Sequence, residues 1–175
     1  MKFTLSFFVL VIIASFSAKS QTGGGIYIKI DGHPAAISSG LHAGETKISA
    51  MEHEIIVLPP VTGGSTGKAE LHEFLIKKPF SSSTPKLIRN TMVTQHIPFV
   101  EIKFYDNTDA LISIIRLEDV SITKLKTLAP ECNSCPPSFE EIGMKAGFKI
   151  IWTHVPSNSV TTVNLSVGSV TYTGL

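Results

Sequence analysis

The sequence lacks the basic surplus that nucleic-acid-binding proteins carry. Its 175 residues include 15 Lys and Arg against 14 Asp and Glu, a formal net charge of +1. A nucleic-acid-binding domain normally shows a basic face or stripe, and the pair Lys77-Lys78 is too small to form one. The chain also lacks internal repeats, low-complexity blocks and a second long apolar run. Nucleic acid is therefore not an expected partner.

The long apolar run that is present lies at the N-terminus. Lys2 precedes apolar residues from Leu5 to Phe16, and small residues follow up to Ser20. A membrane-spanning helix needs about 20 apolar residues, so this shorter run predicts a cleaved signal peptide over residues 1–20, with a retained anchor as the alternative. Residues 21–175 would then form one exported domain, periplasmic or extracellular, without a membrane span.

Cysteine is scarce, with Cys132 and Cys135 as the two examples in the chain. Export to an oxidising compartment favours a local disulfide between them. A thioredoxin-type redox motif would need a βαβ neighbourhood, and a zinc site would need further ligands. We predict the disulfide, and free thiols, redox catalysis and a metal site are the alternatives.

No catalytic, phosphate-binding or metal-binding motif is complete. The stretch from Gly63 to Lys68 fails the phosphate-loop pattern at two positions and instead predicts a hairpin turn. Glu52 and Glu54 lie on one face of a predicted strand, where a surface charge pair is favoured over a cation site. The histidines form no ligand-like pair; they are His33, His42, His53, His72, His96 and His154. We predict neither enzyme activity nor a cofactor.

Most of the chain alternates apolar and polar residues, as β-strands do. Ile26, Ile28 and Ile30 give the first strand, and further strands are expected at 46–58, 68–77, 100–105, 111–125 and 144–153. A strand-like extension begins at about residue 157, with a bulge at Gly168. This pattern predicts a mainly β fold, a closed or nearly closed antiparallel barrel. An immunoglobulin-like sandwich is the alternative, and a helix in mid-sequence weighs against it.

That helix is expected over about residues 84–94. Thr84 can cap its free N–H groups, and Pro85 suits the first helical position. Leu87, Ile88 and Met92 are predicted to form its core face. In the clearest strand, three further residues are predicted to lie in the core. These are Phe148, Ile150 and Trp152.

The stretch from Gly67 to Met92 is the most informative feature of the chain. It runs from a Gly-Lys turn through a strand bearing His72 to Ser83-Thr-Pro-Lys-Leu87, and it resembles the central signature of the Hcp family of type VI secretion. The resemblance continues in the same order along most of the remaining sequence. Its other segments are 25–32, 44–53, 100–105, 117–122 and 148–154.

The resemblance implies a β-barrel subunit without catalytic activity. Members of this family form six-membered rings that stack into a tube, which a contractile sheath expels together with a spike. The implied partners are therefore copies of the same chain, sheath, spike and baseplate proteins, and small effectors carried in the lumen. The alternative is an exported binding module, such as an adhesin, that kept the barrel and lost the tube role.

Overall fold

The computed structural model describes residues 24–58, 68–129 and 138–174. The predicted signal peptide, residues 1–20, and the predicted disulfide between Cys132 and Cys135 lie outside these residues. Within them, no helix has the length and apolar character needed to cross a membrane.

Eleven strands and one helix make up the described part of the chain, so the predicted mainly β fold with one short helix is confirmed. The elements are β1 (Gly25–Ile30), β2 (Thr46–Ile48), β3 (Ala50–Glu52), β4 (Ile55–Leu58), β5 (Lys68–Leu71), β6 (Phe74–Pro79), α1 (Thr84–Met92), β7 (Ile97–Tyr105), β8 (Leu111–Leu128), β9 (Phe139–His154), β10 (Ser159–Asn164) and β11 (Ser169–Thr173).

The strands close into an antiparallel barrel. Strands β2, β1, β7, β8 and β9 pair in that order, β9 pairs with β6, and β6 pairs with β3. Strands β2 and β3 are separated by Ser49 alone, whose N–H donates to the Lys77 carbonyl at 2.7 Å. That hydrogen bond joins the two ends of the sheet. The predicted antiparallel barrel is thus confirmed.

Two hairpins extend from the barrel. Strands β10 and β11 continue the sheet from the C-terminal half of β9, and we call this pair the flange. Strands β4 and β5 pair with each other and form a separate hairpin. The predicted bulge at Gly168 is wrong. Gly168 has φ +63° and lies in the turn between the flange strands, a conformation that glycine adopts without strain.

The barrel interior is filled by apolar side chains at alternate strand positions. Each fully buried Ile or Leu contributes roughly 1.5–3 kcal/mol relative to an exposed position. Leu87 and Ile150 belong to this core, and Trp152 packs against it while remaining partly exposed. The most deeply buried members include Ile76, Leu87, Val100, Ile102, Leu117, Val120, Ile142 and Met144.

The prediction that Ile88 and Met92 belong to the core is wrong. Ile88 is 45% exposed and Met92 is 79% exposed. The helix instead turns Leu87 and Asn90 toward the barrel. These two residues are three apart and share one face, so the i,i+4 pair Ile88 and Met92 points outward.

The prediction that Phe148 belongs to the core is also wrong, since its side chain is 42% exposed. The register of β8 and β9 shifts at this point, and Gly147 and Phe148 lie opposite Asp119 alone. Two residues of β9 opposite one residue of β8 form a bulge, and Asp119 has φ +57° at this point. Here β9 also changes its pairing partner. It pairs with β6 up to Met144 and with β10 from Lys149 onward. Phe148 therefore lies between the segments of β9 that pair with β6 and with β10.

The helix begins at Thr84, as predicted, but its N-cap lies one residue earlier than predicted. Ser83 is the N-cap, so Thr84 is the first helical residue and Pro85 the second, and the predicted cap at Thr84 is wrong. The Thr84 hydroxyl still satisfies a nearby backbone group, because it accepts a hydrogen bond from the Ser81 N–H at 3.1 Å. The helix ends at Met92 rather than at 94.

Candidate assembly surface

The flange exposes a strand with no covering layer. Every residue of β11 is exposed, and Val170 and Tyr172 are each 66% exposed. Within the described residues β11 pairs with β10 alone, so its outer backbone edge is open. An open edge with apolar side chains is a site at which another strand or chain can add.

The β4–β5 hairpin is a second uncovered element. Its register places Ile55 opposite Leu71 and Val57 opposite Ala69, which puts these four residues on one face. Ile55 is 54% exposed and Val57 is 64% exposed. An isolated two-stranded hairpin is marginally stable in water. This apolar face therefore gains stability from any partner that covers it.

A groove of about 750 Å³ lies between the base of this hairpin and the flange. Its lining includes apolar side chains from three parts of the fold: Phe74 on β6, Ala146 and Ile150 on β9, and Leu165 after β10. The groove opens where β9 changes partner between β6 and β10. The lining also contains three charged residues, Glu70, Glu73 and Lys145.

One outer wall of the barrel carries a chain of ion pairs with alternating signs. It comprises Lys149, Glu118, Arg116, Glu101, Lys103 and Glu45, in that order. The Arg116 guanidinium lies 2.7 Å from Glu101, and the Lys103 ammonium lies 2.7 Å from Glu45. Burial opposes the charged form of Lys103, but the hydrogen bond and charge of Glu45 outweigh burial and raise the pKa of Lys103. The charges of this wall neutralise one another.

His42 anchors the loop between β1 and β2 to this wall. Its ring stacks on Tyr27 with centroids 3.8 Å apart and meets the edge of Tyr105. Its Nδ1 lies 3.2 Å from the Glu45 carboxylate, and its Nε2 lies 3.7 Å from Asp109. Because the imidazole is buried among these groups, its role is to hold the loop against the barrel.

Sequence reasoning missed a buried ion pair between Lys78 and Glu140, whose side chains are both 0% exposed. The Lys78 ammonium also donates to the Ser81 hydroxyl at 2.8 Å and to the Pro79 carbonyl at 3.1 Å. The Thr84 hydroxyl donates to Glu140 at 3.2 Å. This network ties the start of α1 to β6 and β9. Strand alternation places Lys78 in phase with the buried Phe74 and Ile76, but nothing near it in the sequence identifies the carboxylate that compensates its charge.

The candidate chemical groups named from the sequence are not brought together. Glu52 and Glu54 are exposed, and Glu54 lies 3.8 Å from His72. His53 stacks on Phe74 with ring centroids 3.8 Å apart, and burial lowers its pKa. In residues 24–58, 68–129 and 138–174, no group of three His, Cys, Asp or Glu side chains could hold a metal ion.

Solved structures share this fold. One described as a type six secretion system protein aligns with a TM-score of 0.74 at 15% identity, covering 85% of this chain and 99% of that one. Hcp1 from Salmonella typhimurium gives a TM-score of 0.72 at 13% identity, covering 85% and 99%. An Hcp1 variant from the E. coli EAEC 042 pathovar gives 0.69 at 21% identity, covering 82% and 99%. At these identities the likeness establishes the fold alone.

Sequence comparison identifies the family. A search of curated protein sequences gives no match. The family profile described as "Type VI secretion system effector, Hcp" matches residues 27–166. This match runs from within β1 to just past β10, so it covers the barrel and the first flange strand. The chain therefore belongs to the Hcp family of type VI secretion.

Proposed function

We propose that this protein is a non-catalytic structural subunit that assembles with copies of itself into six-membered rings and stacked tubes. The observation that carries the proposal is β11, an edge strand that extends past the barrel with every residue exposed. A monomer gains nothing from such a strand and is at risk of aggregation through it. In an assembly, a neighbouring chain covers it.

The rest of the surface supports the same role. The Hcp family consists of tube proteins, and the closed barrel provides a rigid unit for a tube wall. The ion-pair chain from Lys149 to Glu45 leaves its wall without a strong net field. A wall of this kind can line a channel without trapping a charged cargo. The proposed partners are further copies of this chain, sheath and spike proteins, and effectors carried in the lumen.

We also propose that residues 1–20 direct export and that residues 21–175 form one domain. Secretion by the type VI system is a property of the Hcp family. The exported chain would be found in the periplasm or outside the cell. In an oxidising compartment Cys132 and Cys135 would pair.

The test is the native mass of residues 21–175 produced in an oxidising compartment. We expect a hexamer by sedimentation velocity and rings by negative-stain microscopy. The double variant Val170→Lys, Tyr172→Lys should weaken assembly, because charge on an edge strand opposes the addition of another strand. Leu41→Lys, at a loop residue that is 72% exposed, is the matched control.

A chain that remains monomeric at the highest soluble concentration would contradict the assembly role. It would favour the alternative, an exported binding module such as an adhesin that keeps the barrel. Its groove of about 750 Å³ lies within the size range of ligand pockets and would then be the first surface to test for ligands.

A further inference from the structure

Helix α1 presents an apolar stripe away from its own barrel. The stripe consists of Pro85, Ile88 and Met92, all exposed, with Met92 at 79%. These positions follow the i, i+3, i+7 spacing by which an amphipathic helix anchors in a groove. The barrel side of the helix is already occupied by Leu87 and Asn90. The stripe is therefore free to contact a second molecule.

The charged side chains of helix α1 are all positive. The helix contains Lys86 and Arg89 and no acidic residue. The Lys86 ammonium donates to the Gly32 carbonyl, which holds it on its own chain. Arg89 makes no ion pair within residues 24–58, 68–129 and 138–174. The helix thus offers an apolar surface with one available cationic group.

The groove between the β4–β5 hairpin and the flange complements this helix surface, because its lining is apolar and carries negative charge. Its apolar lining includes Leu71, Phe74 and Leu165, and its volume of about 750 Å³ is sufficient for several side chains. Glu70 and Glu73 line it on the hairpin side, and Lys145 lines it on β9. Two carboxylates against one ammonium leave the groove with a net negative charge.

We propose that the groove of one copy receives helix α1 of the next copy. The proposal rests on the proposed self-assembly and names one contact within it, in addition to the coverage of β11. Met92 and Ile88 enter the apolar part of the groove, and Arg89 faces Glu70 and Glu73. Because the two surfaces differ, the contact is heterologous, and such contacts close into a ring when the rotation between copies permits.

Single variants test the two sides separately. Met92→Asp on the helix and Ala69→Trp in the groove should each weaken self-association at least about tenfold, as expected for residues at the centre of an interface. Arg89→Glu should weaken it by a smaller factor, about two- to fivefold, and Glu70→Arg in the same chain should restore it. Leu41→Asp, an equally exposed loop position, is the control. Thermal melting would verify that each variant folds.

Mixing the variants distinguishes a heterologous contact from a general effect on association. Met92→Asp keeps an intact groove, and Ala69→Trp keeps an intact helix. At a concentration at which each variant alone is monomeric, a one-to-one mixture should form a dimer that cannot extend. Sedimentation velocity at matched concentrations measures all three samples.

The results distinguish a failure of the proposed contact from a failure of the proposed function. Loss of assembly in the single variants with a dimer in the mixture supports the contact. Normal assembly of both Met92→Asp and Arg89→Glu contradicts the contact and leaves the proposed function intact. Loss of assembly without a dimer in the mixture contradicts the heterologous geometry. A wild-type chain that never assembles contradicts both proposals.

Discussion

The buried pair Lys78 and Glu140 gives the sharpest test of how the helix is held on the barrel. Replacing Lys78 with Met removes the ammonium and retains a side chain of similar length. Glu140 is then left fully buried with Thr84 as its hydrogen-bond donor, and its Oε2 already lacks a partner within the described residues. The change therefore creates an uncompensated buried carboxylate.

The expected loss is large. Removing one partner of a buried ion pair costs about 3–5 kcal/mol, because the remaining charge has neither water nor a counter-ion. Lys78→Met also removes the hydrogen bonds to Ser81 and Pro79. A domain has roughly 5–15 kcal/mol of total stability, so this change removes a large share of it. The double variant Lys78→Met with Glu140→Leu should recover most of the loss, since no charge remains buried.

Lys77→Met is the matched control. Lys77 is the adjacent residue, its side chain is 48% exposed, and it lies 3.8 Å from Glu141. Such an exposed pair contributes less than about 1 kcal/mol. Urea unfolding of the four chains, followed by tryptophan fluorescence, measures the free energies. A loss below about 1 kcal/mol for Lys78→Met would refute the reasoning, because it would mean that water reaches Glu140.

Three further predictions concern pH, the helix and the cysteines. Burial lowers the pKa of His53, so as the pH falls the unfolded chain binds a proton at this histidine before the folded chain does. The free energy of unfolding should therefore decline below a pH of about 6.5. In urea unfolding, His53→Phe should reduce that decline. Leu87→Ala should cost about 2–5 kcal/mol, whereas Ile88→Ala should cost less than about 1 kcal/mol, and equal losses would contradict the orientation of the helix. The exported chain should show no thiol from Cys132 or Cys135 under denaturing titration, and two free thiols would contradict the disulfide.

The strands could be predicted because their burial is periodic. Ile28 and Ile30 are buried and Lys29 between them is exposed, as simple alternation requires. Within the segment 46–58, the charged residues Glu52 and Glu54 lie at the break between β3 and β4. Where one face of a strand is buried and the other is exposed to solvent, the hydrophobic pattern is sufficient to predict the strand.

The failures occur where the pattern depends on distant residues. Phe148 has the correct phase for the core, but the bulge opposite Asp119 and the change of partner strand leave it exposed. Ile88 and Met92 are exposed because packing against the barrel turns Leu87 and Asn90 inward. Lys78 is buried because Glu140, far away in the sequence, compensates its charge. Local sequence contains none of these relationships.

The groove was not predictable for the same reason. It forms between β6 and β10, which are adjacent in space because both pair with β9. Its lining residues Phe74, Ala146 and Leu165 come from separate segments of the sequence, and their spacing does not reveal that they lie close together. Family resemblance identified the barrel and not this surface.

Strand β9 pairs with β6 through its first half and with β10 through its second half. Strand β8 pairs with β9 along most of the length of β9. Barrel and flange therefore share a continuous backbone. A mechanical load on the flange along the strand direction is transmitted through β9 to β8, where it acts in shear across many hydrogen bonds that lie perpendicular to the strands. These bonds must break together rather than one after another. The fold is thereby suited to resist a force applied along the direction of β9.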